Sequence, residues 1–172
     1  MAQIAIRTAK PGDARAIAEI HVATWQAAYR GLMPDDFLVA LSVDERTAMW
    51  STALGRPSPS QMTLAEIGGT LAAFCLYGPT RDDEPPEVAE IYALNVHPDR
   101  WRQGLGRALC EHAYAEAAGR GHTAIALWVM AGNASAQRFY ERLGYAADGA
   151  ARANNHLIGR AFDEVRYRKV IA

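Results

Sequence analysis

Arg100, Arg102, Gln103 and Arg107 surround Gly104-Leu105-Gly106, where an apolar run ending at Val96 gives way, past Pro98, to a helical pattern. Those residue types suit a polyanion. The first backbone N–H groups of a helix have no intrahelical partner and sit at the positive end of its dipole, so they attract phosphate. Gly104 and Gly106 remove Cβ atoms and let a phosphate approach the main chain, while the arginines add charge at the same place. The stretch therefore reads as a pyrophosphate cradle formed by Arg102, Gln103, Gly104, Leu105, Gly106 and Arg107. Taken alone, a Gly-x-Gly is equally an ordinary strand-to-helix turn with exposed arginines. It is not a dinucleotide fingerprint, because Leu109 stands where a third glycine belongs, and no Gly-Lys-Ser/Thr makes it a P-loop.

A second motif decides the matter. Asn133 opens a helical segment that carries Ala136 and Tyr140 and stops at Gly144-Tyr145. Together the two stretches resemble the GNAT superfamily of N-acetyltransferases. Its coenzyme A loop has the form Gln/Arg-x-x-Gly-x-Gly/Ala after a strand ending in Val-x-Pro. Its last helix carries Asn-x-x-Ala-x-x-x-Tyr-x-x-x-Gly-Phe/Tyr. The helix pattern matches at every position; the loop departs once, with Trp101 at the Gln/Arg position. The resemblance implies an α/β fold of the α+β type, a single domain over residues 1–172 with a mixed central sheet, flanked by helices and splayed between strands four and five. It further implies acetyl-CoA as acyl donor, with its pantetheine arm added like a strand to the backbone of Leu94 and Val96. Asn133 would meet that arm from the other side. Tyr140 would protonate the departing thiolate as an amine attacks the thioester.

The amine must also lose a proton. Glu90 lies on the strand that carries Leu94, and by the period of two it shares a face with Tyr92 and Leu94; it is the first candidate base, directly or through water. Tyr92 would orient the acceptor or line its pocket. Trp25 and Tyr29, four apart in a helical stretch, either pack on the sheet or wall the acceptor site. His156 falls in a late loop that would border that site. No His/Cys/Asp cluster points to a metal, and nothing positions a serine or cysteine nucleophile.

These residues need elements to hold them. Alternation over 2–7 reads as a strand, residues 13–31 as a helix capped by Asp13, and 42–54 as a helix with a Ser42/Glu45 capping box. A short helix at 34–41 lies between them. Residues 62–67 and 70–77 flank the turn Gly68-Gly69 as a hairpin. Strand 88–96, helix 104–118, strand 124–130, helix 133–143 and strands 145–148 and 164–170 complete a mixed α/β layer order. With 172 residues, 18 Lys+Arg against 19 Asp+Glu and 50% hydrophobic content, the chain can bury a core and has no overall field to draw in nucleic acid or a membrane. The start lacks a signal-peptide layout, and the two cysteines, Cys75 and Cys110, form no disulfide framework, so a cytoplasmic protein is expected. The strand-rich C-terminal region offers an edge through which a homodimer could form. The acceptor would be a small-molecule or peptide amine; a non-catalytic acyl-CoA-binding module is the rival reading.

Overall fold

The computed structural model describes residues 3–155 and 160–172; His156 lies outside the described residues. The strands are β1 (Ile4–Thr8), β2 (Gln61–Ile67), β3 (Thr70–Pro79), β4 (Val88–Val96), β5 (Ala124–Met130), β6 (Ala146–Asn154) and β7 (Phe162–Val170). They form one seven-stranded sheet in the order β1-β2-β3-β4-β5-β7-β6. Only β4 and β5 pair in parallel; the other neighbours are antiparallel. The helices are α1 (Ala14–Ala28), α2 (Asp35–Val39), α3 (Val43–Leu54), α4 (Leu105–Gly119) and α5 (Ala134–Arg142).

Apolar residues cover both faces. Leu105, Leu109, Ala113 and Ala117 of α4 pack with Ala73, Cys75, Ala89, Ile91, Ile125 and Leu127, and α5 adds Phe139, Tyr140 and Leu143. On the opposite face Ile17, Ala18, Ile20 and Trp50 of α1 and α3 meet Met62, Leu64 and Phe74. Full burial of a side chain such as Leu109, which has no exposed surface, is worth about 2 kcal/mol.

The expected splay is present, and the register shows its origin. β4 pairs with β5 only from Val88↔Ala124 to Ile91↔Leu127. At that point β4 carries a bulge: Leu76 faces Ala93 and Tyr77 faces Ile91, leaving Tyr92 as the extra residue. A bulge breaks the ladder and increases local twist, so residues 92–96 turn away from the end of β5. It also resets the side-chain phase. Ala89 and Ile91 lie in the α4-side core, and beyond the bulge so do Leu94 and Val96, while Ala93 faces α1 and α3. Glu90 therefore does not share a face with Leu94, contrary to the period-two expectation, because the extra residue exchanges odd and even positions.

β6 is the other departure, running to Asn154 rather than stopping near 148. Just past the expected end, Gly149 takes a positive φ of 88°. The strand resumes because its pairing with β7 continues across the irregularity, from Ala151↔Val165 to Asn154↔Phe162.

Candidate active site

The cradle takes its shape from the turn into α4. Arg102 has φ 62° and Gly104 φ 85°, both in the left-handed region. Gly104 is the N-cap, and the first regular helical bond runs from Ala108 N–H to its carbonyl. The N–H groups of Gly104, Leu105, Gly106 and Arg107 are thus the unpaired donors of the helix start. Arg102, Gln103 and Arg107 are exposed around them. The two glycines do different things. Gly104 supplies the φ, since a Cβ there would meet only Ile4 Cδ1 at 3.7 Å; a Cβ on Gly106 would press on Phe139 Cζ at 3.2 Å and Val96 Cγ2 at 3.5 Å. Gly106 therefore lets α4, α5 and β4 close together. Between α4 and α5 lies a cavity of about 160 Å³ with Arg107, Arg142 and Lys169 on its walls.

The free edge of β4 adjoins the cradle. The N–H of His97 bonds Ala72 of β3 at 2.8 Å, so by antiparallel alternation the backbone groups of Leu94 and Val96 point the other way, into the splay. The Val96 carbonyl already accepts Trp101 Nε1 at 2.7 Å and Thr24 Oγ1 at 3.0 Å. That leaves the N–H and C=O of Leu94 and the N–H of Val96 for an added strand. Trp101 thereby gains a role its sequence position did not suggest: it ties the cradle loop to β4, and Thr24 ties α1 to the same atom.

Across the splay, Asn133 caps α5 by accepting the N–H of Ala136 at 3.1 Å through Oδ1, leaving Nδ2 as the donor that can face the gap. Tyr140 packs edge-on against Phe139 at 5.0 Å and Tyr145 at 5.8 Å. Burial, ahead of the nearby Cys110 and Cys75 thiols, pushes its phenol well above the usual tyrosine value. A phenol so raised keeps its proton at neutral pH and is a donor, not a base.

The acceptor-side candidates separate. Glu90 is 1% exposed, and both its oxygens are engaged by Arg81: Oε2 by the backbone N–H at 2.8 Å, Oε1 by Nη2 at 2.6 Å and Nε at 3.2 Å. Tyr92 lies under the Arg81 guanidinium, 4.3 Å from its ring centroid, and its hydroxyl donates to the Pro79 carbonyl at the end of β3. The bulge thus directs Tyr92 toward β3 and away from the gap, where sequence spacing had it orienting the acceptor or lining its pocket. Trp25 and Tyr29 do come together, ring to ring at 5.2 Å, in an apolar group with Met33, Phe37, Met130 and Phe162.

Sequence reading missed the charged groups on this face. The β3–β4 loop sends Asp82 to Trp128 Nε1 at 2.8 Å and to Arg152 at 3.4 Å, and Glu84 to Arg166 at 2.7 Å and Arg168 at 3.1 Å. Arg152 stacks 4.1 Å over the Trp128 ring and bonds Glu164 at 2.7 Å. The alternation of Glu164, Arg166 and Arg168 was a legible strand face; Asp82 and Arg152 carried no local signal. Among the described residues no group of three or more His, Cys, Asp or Glu could hold a metal, and no helix is long and apolar enough to cross a membrane.

Residues 14–145 match the sequence model of the acetyltransferase (GNAT) family. The chain is 28% identical over 162 residues to the uncharacterized N-acetyltransferase YuaI of Bacillus subtilis, covering 94% of this chain and 90% of that one. The ribosomal-protein-S18-alanine N-acetyltransferase of Escherichia coli superposes with a TM-score of 0.68 at 26% identity, over 99% of this chain and 95% of that one. The paia N-acetyltransferase of Thermoplasma acidophilum, solved in complex with coenzyme A, gives a TM-score of 0.74 at 17% identity, over 98% and 99% of the two chains.

Proposed function

Because the chain belongs to the acetyltransferase (GNAT) family, we propose that it moves the acetyl group of acetyl-CoA onto a primary amine of a small molecule or peptide, by direct attack in a ternary complex. The observation that carries this reading is the open edge of β4 beside the turn into α4, with the N–H and C=O of Leu94 and the N–H of Val96 unspent. The pantetheine arm would add there as a strand, the diphosphate would lie on the N–H groups of residues 104–107, and the cavity beside Arg107 and Arg142 would take the distal phosphate. Tyr140 would hand its proton to the leaving sulfur. Coenzyme A bound to the Thermoplasma protein supports the donor, and the activity named for the Escherichia coli protein supports including free peptide N termini among acceptors.

Release of the CoA thiol, followed over a panel of small amines, amino acids and peptides, tests the proposal. At least one amine should turn over. Binding of acetyl-CoA with no turnover across the panel would instead support an acyl-CoA-binding module. Absence of binding would reject both readings.

The same proposal extends to assembly. Among the described residues β6 is an edge strand, largely exposed and paired to β7 alone, and a second copy could cover it. Light scattering at micromolar concentration should give a dimer mass; a monomer would remove this part.

A further inference from the structure

The acceptor's ammonium must be held and must lose a proton, and Glu90 is poorly placed for either task because Arg81 occupies both its oxygens. A second carboxylate lies on the same side of the sheet. Glu164 pairs with Met130, the last residue of β5, at the level where β5 has already parted from β4. It is 8% exposed. Its Oε2 accepts Arg152 Nε at 2.7 Å and Asn154 Nδ2 at 3.4 Å, while Oε1 receives no hydrogen bond among the described residues. A carboxylate this enclosed, bonded by an arginine on one oxygen and unspent on the other, is an acceptor awaiting a donor.

Its neighbours describe the ligand. Tyr29, from the C-terminal end of α1, packs in the apolar group that includes Met130 and Phe162, which flank Glu164 on this side. The Glu164 charge adds to burial in raising the Tyr29 phenol, and Tyr29 in turn adds to the raising of Tyr140; the three groups are electrostatic neighbours. The other charges near Glu164 are already engaged: Arg152 shares itself with Asp82, and Arg166 is held by Glu84 and Asp148.

Resting on the acetyl-transfer reading above, we propose that Glu164 Oε1 binds the acceptor's ammonium and takes its proton, and that the acceptor is a primary amine on an apolar stem seated against Tyr29, Met130 and Phe162. In the step, the ammonium gives one proton to Glu164, and the freed nitrogen lone pair bonds the thioester carbonyl carbon. The C–S bond then breaks with its electron pair going to sulfur, which takes the Tyr140 proton. The second proton lost by nitrogen restores the Tyr140 phenol, and Glu164 passes its proton to water.

The test uses the full chain saturated with coenzyme A and compares binding of phenethylammonium with that of its neutral isostere 2-phenylethanol, by calorimetry. Wild type should favour the ammonium by on the order of tenfold or more, the scale of one charge-assisted hydrogen bond. Glu164→Gln should abolish that preference, Glu90→Gln should keep it, and the acetyl-CoA melting shift should be unchanged in both. Equal binding of the two probes to wild type, no binding of either, or loss of preference in Glu90→Gln instead overturns the proposal. If Glu164→Gln fails to fold, Glu164→Asp, which keeps the charge but withdraws it, should weaken ammonium binding several-fold; unchanged affinity overturns the proposal too. None of these outcomes touches the acetyl-transfer reading, which stands or falls on CoA-thiol release.

Discussion

Tyr140 and Trp101 each carry one polar hydrogen that the proposed function uses, and substitution by phenylalanine deletes it while keeping an aromatic ring in place. Tyr140→Phe keeps the packing against Phe139 and Tyr145. If the hydroxyl protonates the sulfur, kcat should fall by roughly 10²-fold or more with little change in the KM for acetyl-CoA. Single-turnover measurement with an accepted amine is the right comparison, because product release can mask chemistry; near-wild-type rates there would reduce Tyr140 to packing. Trp101→Phe removes the N–H that meets the Val96 carbonyl and leaves Thr24 in place. The loss of one such bond, about 1 kcal/mol, should weaken acetyl-CoA binding several-fold. Adding Thr24→Val strips the carbonyl of both partners, so the double variant should lose more than the sum of the singles. Additive losses by calorimetry would show that the two donors do not act together on β4.

At the scale of elements, the junction of α4, α5 and β4 depends on Gly106. A Cβ there meets the tip of the Phe139 ring at 3.2 Å, and that ring must give by a few tenths of an ångström to accept it. Gly106→Val should therefore destabilise the ligand-free protein by about 1–3 kcal/mol, the range for overpacking. Gly104→Ala should cost about 1–2 kcal/mol for a different reason, the left-handed φ of 85°. Chemical denaturation without and with acetyl-CoA separates the effects from ligand binding. A Gly106→Val protein as stable as wild type without ligand would show that this junction does not depend on the missing Cβ.

At the scale of the whole molecule, His21 sets an acid limit on stability. It sits 8% exposed among Trp25, Trp50 and Phe74, and its Nδ1 accepts the Trp50 indole N–H at 3.2 Å. Burial, then the charge of Arg46, depresses its pKa from 6.5 to about 4. The folded state thus binds this proton less readily than the unfolded chain, so stability is fully present above 6.5 and declines as pH falls toward 4. His21→Gln should flatten that limb of the stability–pH curve, and an unchanged slope would place the acid sensitivity elsewhere. The fold class, the glycine turn into α4 and the Asn133–Tyr140 helix were legible in the sequence because caps, glycines and the 3.6 and 2.0 periods are local properties, written within a few residues of one another. Tertiary structure alone decided the rest. The bulge at Tyr92 reversed the expected faces of β4, since register is a relation between β3 and β4 rather than a property of either. Arg81 engaged Glu90, Trp101 and Thr24 met on one carbonyl, and Asp82 reached Arg152 and Trp128 because distant segments converge on the sheet. Such pairings are selected by packing after the strands align, so no spacing along the chain announces which carboxylate keeps a free oxygen at the gap.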